Sequence, residues 1–329
     1  MSVSRRHLIQ GSAAMALLPG LVAGQARAQA LESAKVIIGF APGGTIDLVG
    51  RRVAERLQPR YARSVIVENK TGAGGQIAVQ TVKASPPDGA TVLLTPASPL
   101  ALHPFTYKKL PYEPVGDFTP VSGAAMFDYA LAVGPLVPPA VRTASEFLSW
   151  CKANAAQANF GSAGTGSAAH FIGAALGKAA NVDLRHVAFR GSQPALLDMI
   201  GGQIAAVVGP TGEFMPNVNA GKIRLLATSG PKRGRFTPSV PTLAEQGFRD
   251  LGYLGWFGFY LPAKASPEAV QRLNTAITAA FATTEVTDSL ATAFMEPMPT
   301  SPAQLAAIQT NEGEFWGRLV KLVGFTPEG

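Results

Sequence analysis

The 329-residue chain is 47% apolar and 15% charged, with 28 Lys and Arg against 21 Asp and Glu and a formal net charge of +7. That length suggests about two domains of roughly 150 residues, each able to bury a core, and the single cysteine, Cys151, excludes an internal disulfide. Lys and Arg are scattered, with no basic stripe and no interleaved aromatics, which argues against nucleic acid as a partner.

Residues 1–30 read as an export signal, expected to be cleaved. Ser4-Arg5-Arg6-His7-Leu8-Ile9-Gln10 precedes an apolar run at 13–22 and the small-residue sites Ala26-Arg27-Ala28 and Ala28-Gln29-Ala30. The paired arginines favour the twin-arginine route. No cysteine for a lipid anchor follows the run, and no later segment approaches the ~20 unbroken apolar residues of a spanning helix. A soluble periplasmic protein, acting as a monomer, is expected. Its 25 basic and 21 acidic side chains leave a charge of +4, so the basic balance belongs partly to the signal.

From there strand and helix patterns alternate. A β-rich run at 35–40 leads to a segment with Ile46, Val49, Val53 and Leu57 on one helical face and Arg51, Arg52, Glu55 and Arg56 elsewhere. Strand 64–67, helix 76–83 and strand 91–95 complete a βαβαβ unit, the signature of a parallel sheet. After a proline-rich crossing at 110–120, a second series follows: strand 129–133, helix 144–155, strand 158–161, helix 167–179, strand 184–189, helix 194–200 and strands 204–208 and 223–228. A second irregular crossing, 229–241, precedes strand 253–261 and helices 267–283 and 302–323. The last helices need a sheet to cover, and the first series is the one short of cover. The expected architecture is therefore α/β and two-lobed, each lobe a sheet flanked by helices. Residues 31–128 and 235–329 would form lobe 1 and 129–234 lobe 2, with two hinge crossings between them.

Three strand-to-helix turns share one grammar. Phe40-Ala41-Pro42-Gly43-Gly44-Thr45-Ile46-Asp47 opens the first helix; Asn69-Lys70-Thr71-Gly72-Ala73-Gly74-Gly75 opens the second; Gly161-Ser162-Ala163-Gly164-Thr165-Gly166-Ser167 opens the helix carrying His170. Glycines there let a ligand approach the backbone, and the first amides of each helix are unpaired, which suits an anion. The dinucleotide fingerprint fails after Gly43-Gly44, and the nearest P-loop match, Gly173 to Lys178, is one residue short and lies inside a helix. Amide donors to a charged acceptor contribute about 1.5–3 kcal/mol each, so four or five suffice for micromolar binding, about 8 kcal/mol, after the association cost. Asp47 can complement the helix dipole or orient the turn.

These stretches, with Val67-Glu-Asn-Lys-Thr-Gly-Ala-Gly-Gly75, Pro87-Asp-Gly89, Asp117-Phe-Thr-Pro-Val121, Gly201-Gly-Gln203, Ala220-Gly-Lys-Ile-Arg-Leu-Leu-Ala227 and Val240-Pro-Thr-Leu-Ala-Glu245, resemble the Bug-type (TctC-like) periplasmic solute receptors of tripartite tricarboxylate transporters. The similarity runs over nearly all of 35–325. It implies a type II-like periplasmic-binding-protein fold that closes on a small carboxylate and hands it to membrane components of such a transporter. It also implies that Ala41, Gly43, Gly44, Thr45 and Asp47 from one lobe, and Ser162, Gly164, Thr165, Gly166, Ser167 and His170 from the other, hold the ligand, with Ser98, Arg190 and Gly209 shaping the rest. Family members commonly carry an aspartate where this chain has Gly209-Pro210, and its absence argues for an organic acid without an ammonium group, a dicarboxylate or an aromatic acid. The stretch 96–104, ending in His103-Pro104, replaces a more polar family loop.

The rival reading is a periplasmic hydrolase or aromatic-acid enzyme using Ser167 and His170. It lacks the G-x-S-x-G elbow and an acid to orient the histidine. His103, His170 and His186 have no metal-ligand spacing, so no metal, cofactor or catalytic residue is expected. Each reads as a packed or surface residue, His170 being the exception because it follows a glycine turn. The aromatic run 253–260 reads as a buried strand rather than a stacking platform.

Overall fold

The computed structural model describes residues 30–327. The proposed export signal lies, but for Ala30, outside the described residues.

Strand β1 (Leu31–Ile38) buries Val36, Ile37 and Ile38, as a central parallel strand covered on both faces must. Helix α1 (Thr45–Leu57) buries Ile46, Val49, Val53 and Leu57 and exposes Arg51, Arg52, Glu55 and Arg56, the partition its 3.6-residue period dictates. Strand β2 (Ala62–Asn69), helix α2 (Gln76–Lys83) and strand β3 (Thr91–Pro96) follow, and β2, β1 and β3 lie parallel in that order.

The next strand, β4 (Phe118–Val133), is far longer than its predicted 129–133. Its first part is poor in β-formers, Ser122-Gly123-Ala124-Ala125, yet all four are buried. The close approach of neighbouring chain selects them: a Cβ on Gly123 would lie 2.4 Å from the Met298 carbonyl oxygen. Tertiary packing overrides propensity there.

Helix α3 (Ala144–Ala153) starts on a capping box between Thr143 and Glu146 and buries Cys151, whose thiol is pushed up to about 12 by burial. Strand β5 (Asn159–Ser162), helix α4 (Ala168–Ala179), strand β6 (Arg185–Ala188), helix α5 (Ser192–Ile200) and strand β7 (Ala206–Pro210) continue the alternation. Helix α6 (Thr211–Asn219) was not legible in the sequence, because it contains Gly212 and Pro216. It is held by Phe214, which is fully buried, and by Gly212, where a Cβ would meet the Ala293 carbonyl at 1.9 Å.

Strand β8 (Arg224–Thr228) and strand β9 (Leu254–Pro262) bracket the second irregular crossing. Helix α7 (Pro267–Phe281) is followed by α8 (Thr284–Thr292), a threonine-rich helix that sequence reading missed and that anchors through Val286 and Leu290, four residues apart. A two-residue strand β10 (Glu296–Pro297) and helix α9 (Pro302–Val323) end the described chain.

The sheet order is β2-β1-β3-β9-β4-β7-β5-β6, with β8 and β10 also pairing β4. β9 runs antiparallel between β3 and β4, so the late chain is inserted into the early sheet. β4 belongs to two groups: residues 118–128 pair with β9, and 129–133 with β7 and β8. One strand thus joins two half-sheets, and the carboxyl ends of β1, β3, β5 and β7 open toward the junction.

The core beneath the first half-sheet contains a carboxylate. Glu312 of α9 accepts hydrogen bonds from the Tyr253 hydroxyl at 2.6 Å, the Trp316 indole at 2.8 Å and the Trp256 indole. Burial holds its pKa up while the three donors pull it down, and the rise prevails. Replacing Glu312 by Ala strands three buried donors. The variant is expected to lose about 3 kcal/mol or more of stability in urea denaturation, with no loss of m-value.

Candidate functional site

The first glycine turn is shaped from within. Gly43 adopts a φ of 88°, and its N–H donates to Asp47 Oδ2 at 3.0 Å. Asp47 also accepts from Arg51 at 2.9 and 3.0 Å and from the Asn69 side chain at 2.9 Å, while the same Asn69 amide donates to the Phe40 carbonyl. Burial raises the Asp47 pKa, but the Arg51, Gly43 and Asn69 hydrogen bonds outweigh it and hold the carboxyl below the usual range. Asp47 therefore orients the turn and ties it to β2.

The second-half turn is built around buried histidines. Gly166, at φ 74°, donates its N–H to His170 Nδ1 at 3.2 Å. The His170 ring stacks on His186 at 4.0 Å, and His186 Nε2 lies 2.7 Å from the Ser162 hydroxyl. Burial lowers His170 to about 4 and His186 to about 3, the latter helped by its neighbour, so both rings are neutral near pH 7. Ser167 caps α4 by accepting the His170 backbone N–H at 3.2 Å. The predicted Ser167–His170 pair is thus joined through backbone, and the serine–histidine side-chain contact is Ser162 with His186. Ser162 is fully buried.

Between these turns lies a cavity of about 100 Å3. Phe40, Ala41, Gly44, Thr45 and Ile46 line it from the first turn; Ala163, Ser167 and Ala169 from the second; Gly191, Ser192 and Gln193 from the start of α5; and Pro210 and Glu213 from the start of α6. Four helix N-termini therefore face one space, and α5 begins at Gly191 with no side-chain cap. No Lys or Arg is among the lining residues. Phe127, Tyr129 and Phe257 supply an aromatic wall.

Three hydrogen bonds, at two points, join the cavity walls of the two half-sheets. The Ala168 N–H donates to Ser98 Oγ at 3.3 Å. Glu213 Oε1 accepts from the Thr45 N–H at 3.3 Å and its hydroxyl at 3.1 Å, at the N-terminus of α1. The Glu213 pKa is raised by burial, partly offset by hydrogen bonds from Thr45 and Ser192.

Of the residues singled out in the sequence, Ala41, Gly44, Thr45, Ser98 and Ser167 line the cavity. Gly43, Asp47, Ser162, Gly164, Thr165, Gly166 and His170 belong to the turns or stand behind them. Arg190 is exposed beside lining Gly191, and Gly209 packs toward Phe214 and Ser192 beside lining Pro210. Sequence reasoning missed Glu213, since α6 itself was not legible. An acid does reach the cavity, one turn beyond Gly209-Pro210. Phe257 was read only as buried strand; it is both buried and wall. Among the described residues no cluster able to hold a metal is found, and no helix is long and apolar enough to cross a membrane.

Comparison with known proteins adds the following. Residues 49–325 match the model of the tripartite tricarboxylate transporter family receptor, TctC. BugT of Bordetella pertussis is 28% identical over 291 residues, 88% of this chain and 89% of BugT. The structure of R. palustris Rpa4515 with adipate superposes with a TM-score of 0.85 at 28% identity, covering 90% of this chain and 98% of that one. MatC from Rhodopseudomonas palustris with bound malate gives 0.81 at 27%, covering 88% and 98%.

Asp47→Asn is expected to destabilise the protein by about 1.5–3 kcal/mol. Because the folded pKa is lowered, this gap should be fully present above the unfolded value of about 3.9 and shrink as pH falls through the folded value; acid-denaturation curves of the two proteins check it. Glu213→Ala removes a tie between the half-sheets, and small-angle scattering without ligand should show a larger radius of gyration than the parent.

Proposed function

The chain belongs to the Bug-type, TctC-like family of tripartite tricarboxylate transporter receptors, periplasmic solute-binding proteins with a two-lobed α/β fold, and from that premise we propose that it closes on a small organic acid and delivers it to the membrane components of such a transporter. The observation that carries this is the convergence of four helix N-termini on one cavity lined by no cationic side chain. Oriented amide dipoles attract a carboxylate without adding a charge whose desolvation would have to be offset.

In this reading residues 31–128 with 235–329 form one lobe and 129–234 the other, and the molecule works as a periplasmic monomer exported through a twin-arginine signal. The ligand carboxylate meets the opening amides of α5 at Ser192 and Gln193 and the turns around Gly44 and Ala163. The Thr45 donors are shared with Glu213. The bound species is a non-amino-acid organic acid, a dicarboxylate or an aromatic acid. Although Glu213 puts an acid in the cavity, its carboxylate is engaged by Thr45 and Ser192, and the surrounding helix N-termini oppose an ammonium. Relatives in this family hold adipate and malate, which supports the carboxylate class. The role is binding, with no catalytic step.

Calorimetry against mono-, di- and aromatic carboxylates, phosphates, sulfonates and amino acids tests the reading. Tight binding of an amino acid with none of the simple carboxylates would refute it. Ser192 is the first residue of α5, where proline is tolerated, so Ser192→Pro deletes one amide donor and spares the helix. It should weaken carboxylate binding about tenfold or more relative to Ser192→Ala, which loses only the hydroxyl.

A further inference from the structure

His103 stands in a 3-10 turn (His103–Phe105) after β3 and lines the cavity, yet it is 1% exposed. Its two ring nitrogens have different fates. Nδ1 lies 3.3 Å from the Tyr112 hydroxyl oxygen, and that hydroxyl donates its proton to the Pro99 carbonyl at 2.8 Å. The hydroxyl proton being committed, the oxygen can only accept, so Nδ1 carries the ring proton and Nε2 presents a lone pair. Among the described residues no group hydrogen-bonds Nε2. Burial lowers the ring's pKa to about 3, and the ring stays neutral at working pH.

Nε2 is buried beside Gly74 in the cavity wall. It lies 3.3 Å from where a Cβ on Gly74 would stand, and Gly74 is itself a lining residue. Any other residue there would crowd the nitrogen. The Tyr107 ring meets His103 edge-on at 5.0 Å. The cavity wall thus includes a buried neutral acceptor, in a fixed tautomer, whose natural complement is a ligand donor.

Resting on the carboxylate reading, we propose that His103 Nε2 accepts a hydrogen bond from a hydroxyl of the ligand, and that the receptor therefore selects hydroxy acids over the corresponding plain acids. A carboxylate has no proton to give this nitrogen. An ammonium has protons, but it would stand among four helix N-termini of the same sign. Glu213 is the charged acceptor in the cavity wall, and Thr45 and Ser192 already engage it. A site built to bond a hydroxyl rejects the analogue lacking it, because its own polar group is then left unpaired.

The experiment is calorimetry on the mature protein with three matched pairs, malate and succinate, lactate and propionate, 4-hydroxybenzoate and benzoate, together with aspartate. In each pair that binds, the hydroxy acid should be tighter by at least about tenfold. His103→Leu should bring that ratio close to one by weakening the hydroxy acid about tenfold, while the variant keeps a cooperative melting transition. His103→Gln, which keeps an acceptor, should restore part of the ratio. Equal binding within the pairs, a ratio that survives His103→Leu, or aspartate binding tightest would overturn the inference while leaving an acid receptor standing. No binding by any probe would overturn the carboxylate reading and this inference together.

Discussion

The constraint that organises this molecule is the obligation of backbone N–H groups at helix starts to find acceptors. Each α-helix leaves its first amides unpaired, and here the starts of α1, α4, α5 and α6 are gathered around one cavity rather than spread over the surface. Some are answered internally: Gly43 by Asp47, Gly166 by His170, Ala168 by Ser98 and Thr45 by Glu213. The start of α5 has no side-chain cap. The anion selectivity proposed for this site rests on that geometry, with no arginine or lysine among the described residues of the wall. A neutral pair of stacked histidines behind the second turn keeps that region free of added charge while shaping it.

Gathering helix starts in this way requires that two half-sheets present their carboxyl ends to each other. The long strand β4 does so by pairing with β9 in its first part and with β7 and β8 in its last. Packing of α4 on α9, with Phe171 against Trp316 and Phe325, and a few polar ties hold the cavity walls together. Glu213 on Thr45 is the most telling, since it sets the protein's own carboxylate at a helix start of the kind a ligand acid would seek. In the proposed reading a solute acid would compete with Glu213 for the same donors, the condition under which binding shifts a conformational balance.

Much of the fold was legible because its signals are local. The helical face of Ile46, Val49, Val53 and Leu57, the alternation of strand and helix, and the glycine turns are set by neighbours within a few positions. Where low-propensity residues were chosen for packing, local reading failed. The small residues of β4, the Gly212 and Pro216 of α6 and the threonines of α8 owe their structure to what touches them. The site suffered the same division: Ala41, Gly44, Thr45, Ser98 and Ser167 could be named as cavity candidates, but Glu213 was hidden with its helix, and the aromatic wall looked like plain core.

What the sequence determined by itself was therefore the α/β alternation, the family resemblance and the position of the glycine turns, all carried by short-range periodicity and glycine placement. Tertiary structure alone decided which groups meet. Thr45 and Glu213 are 168 residues apart and Ser98 and Ala168 are 70 apart, and no local rule relates such positions. The tautomer of His103 likewise depends on Tyr112 and Pro99, brought to it by the fold. Recognition chemistry arises from these long-range juxtapositions, because a donor or acceptor acquires direction only when the backbone that carries it is fixed in space.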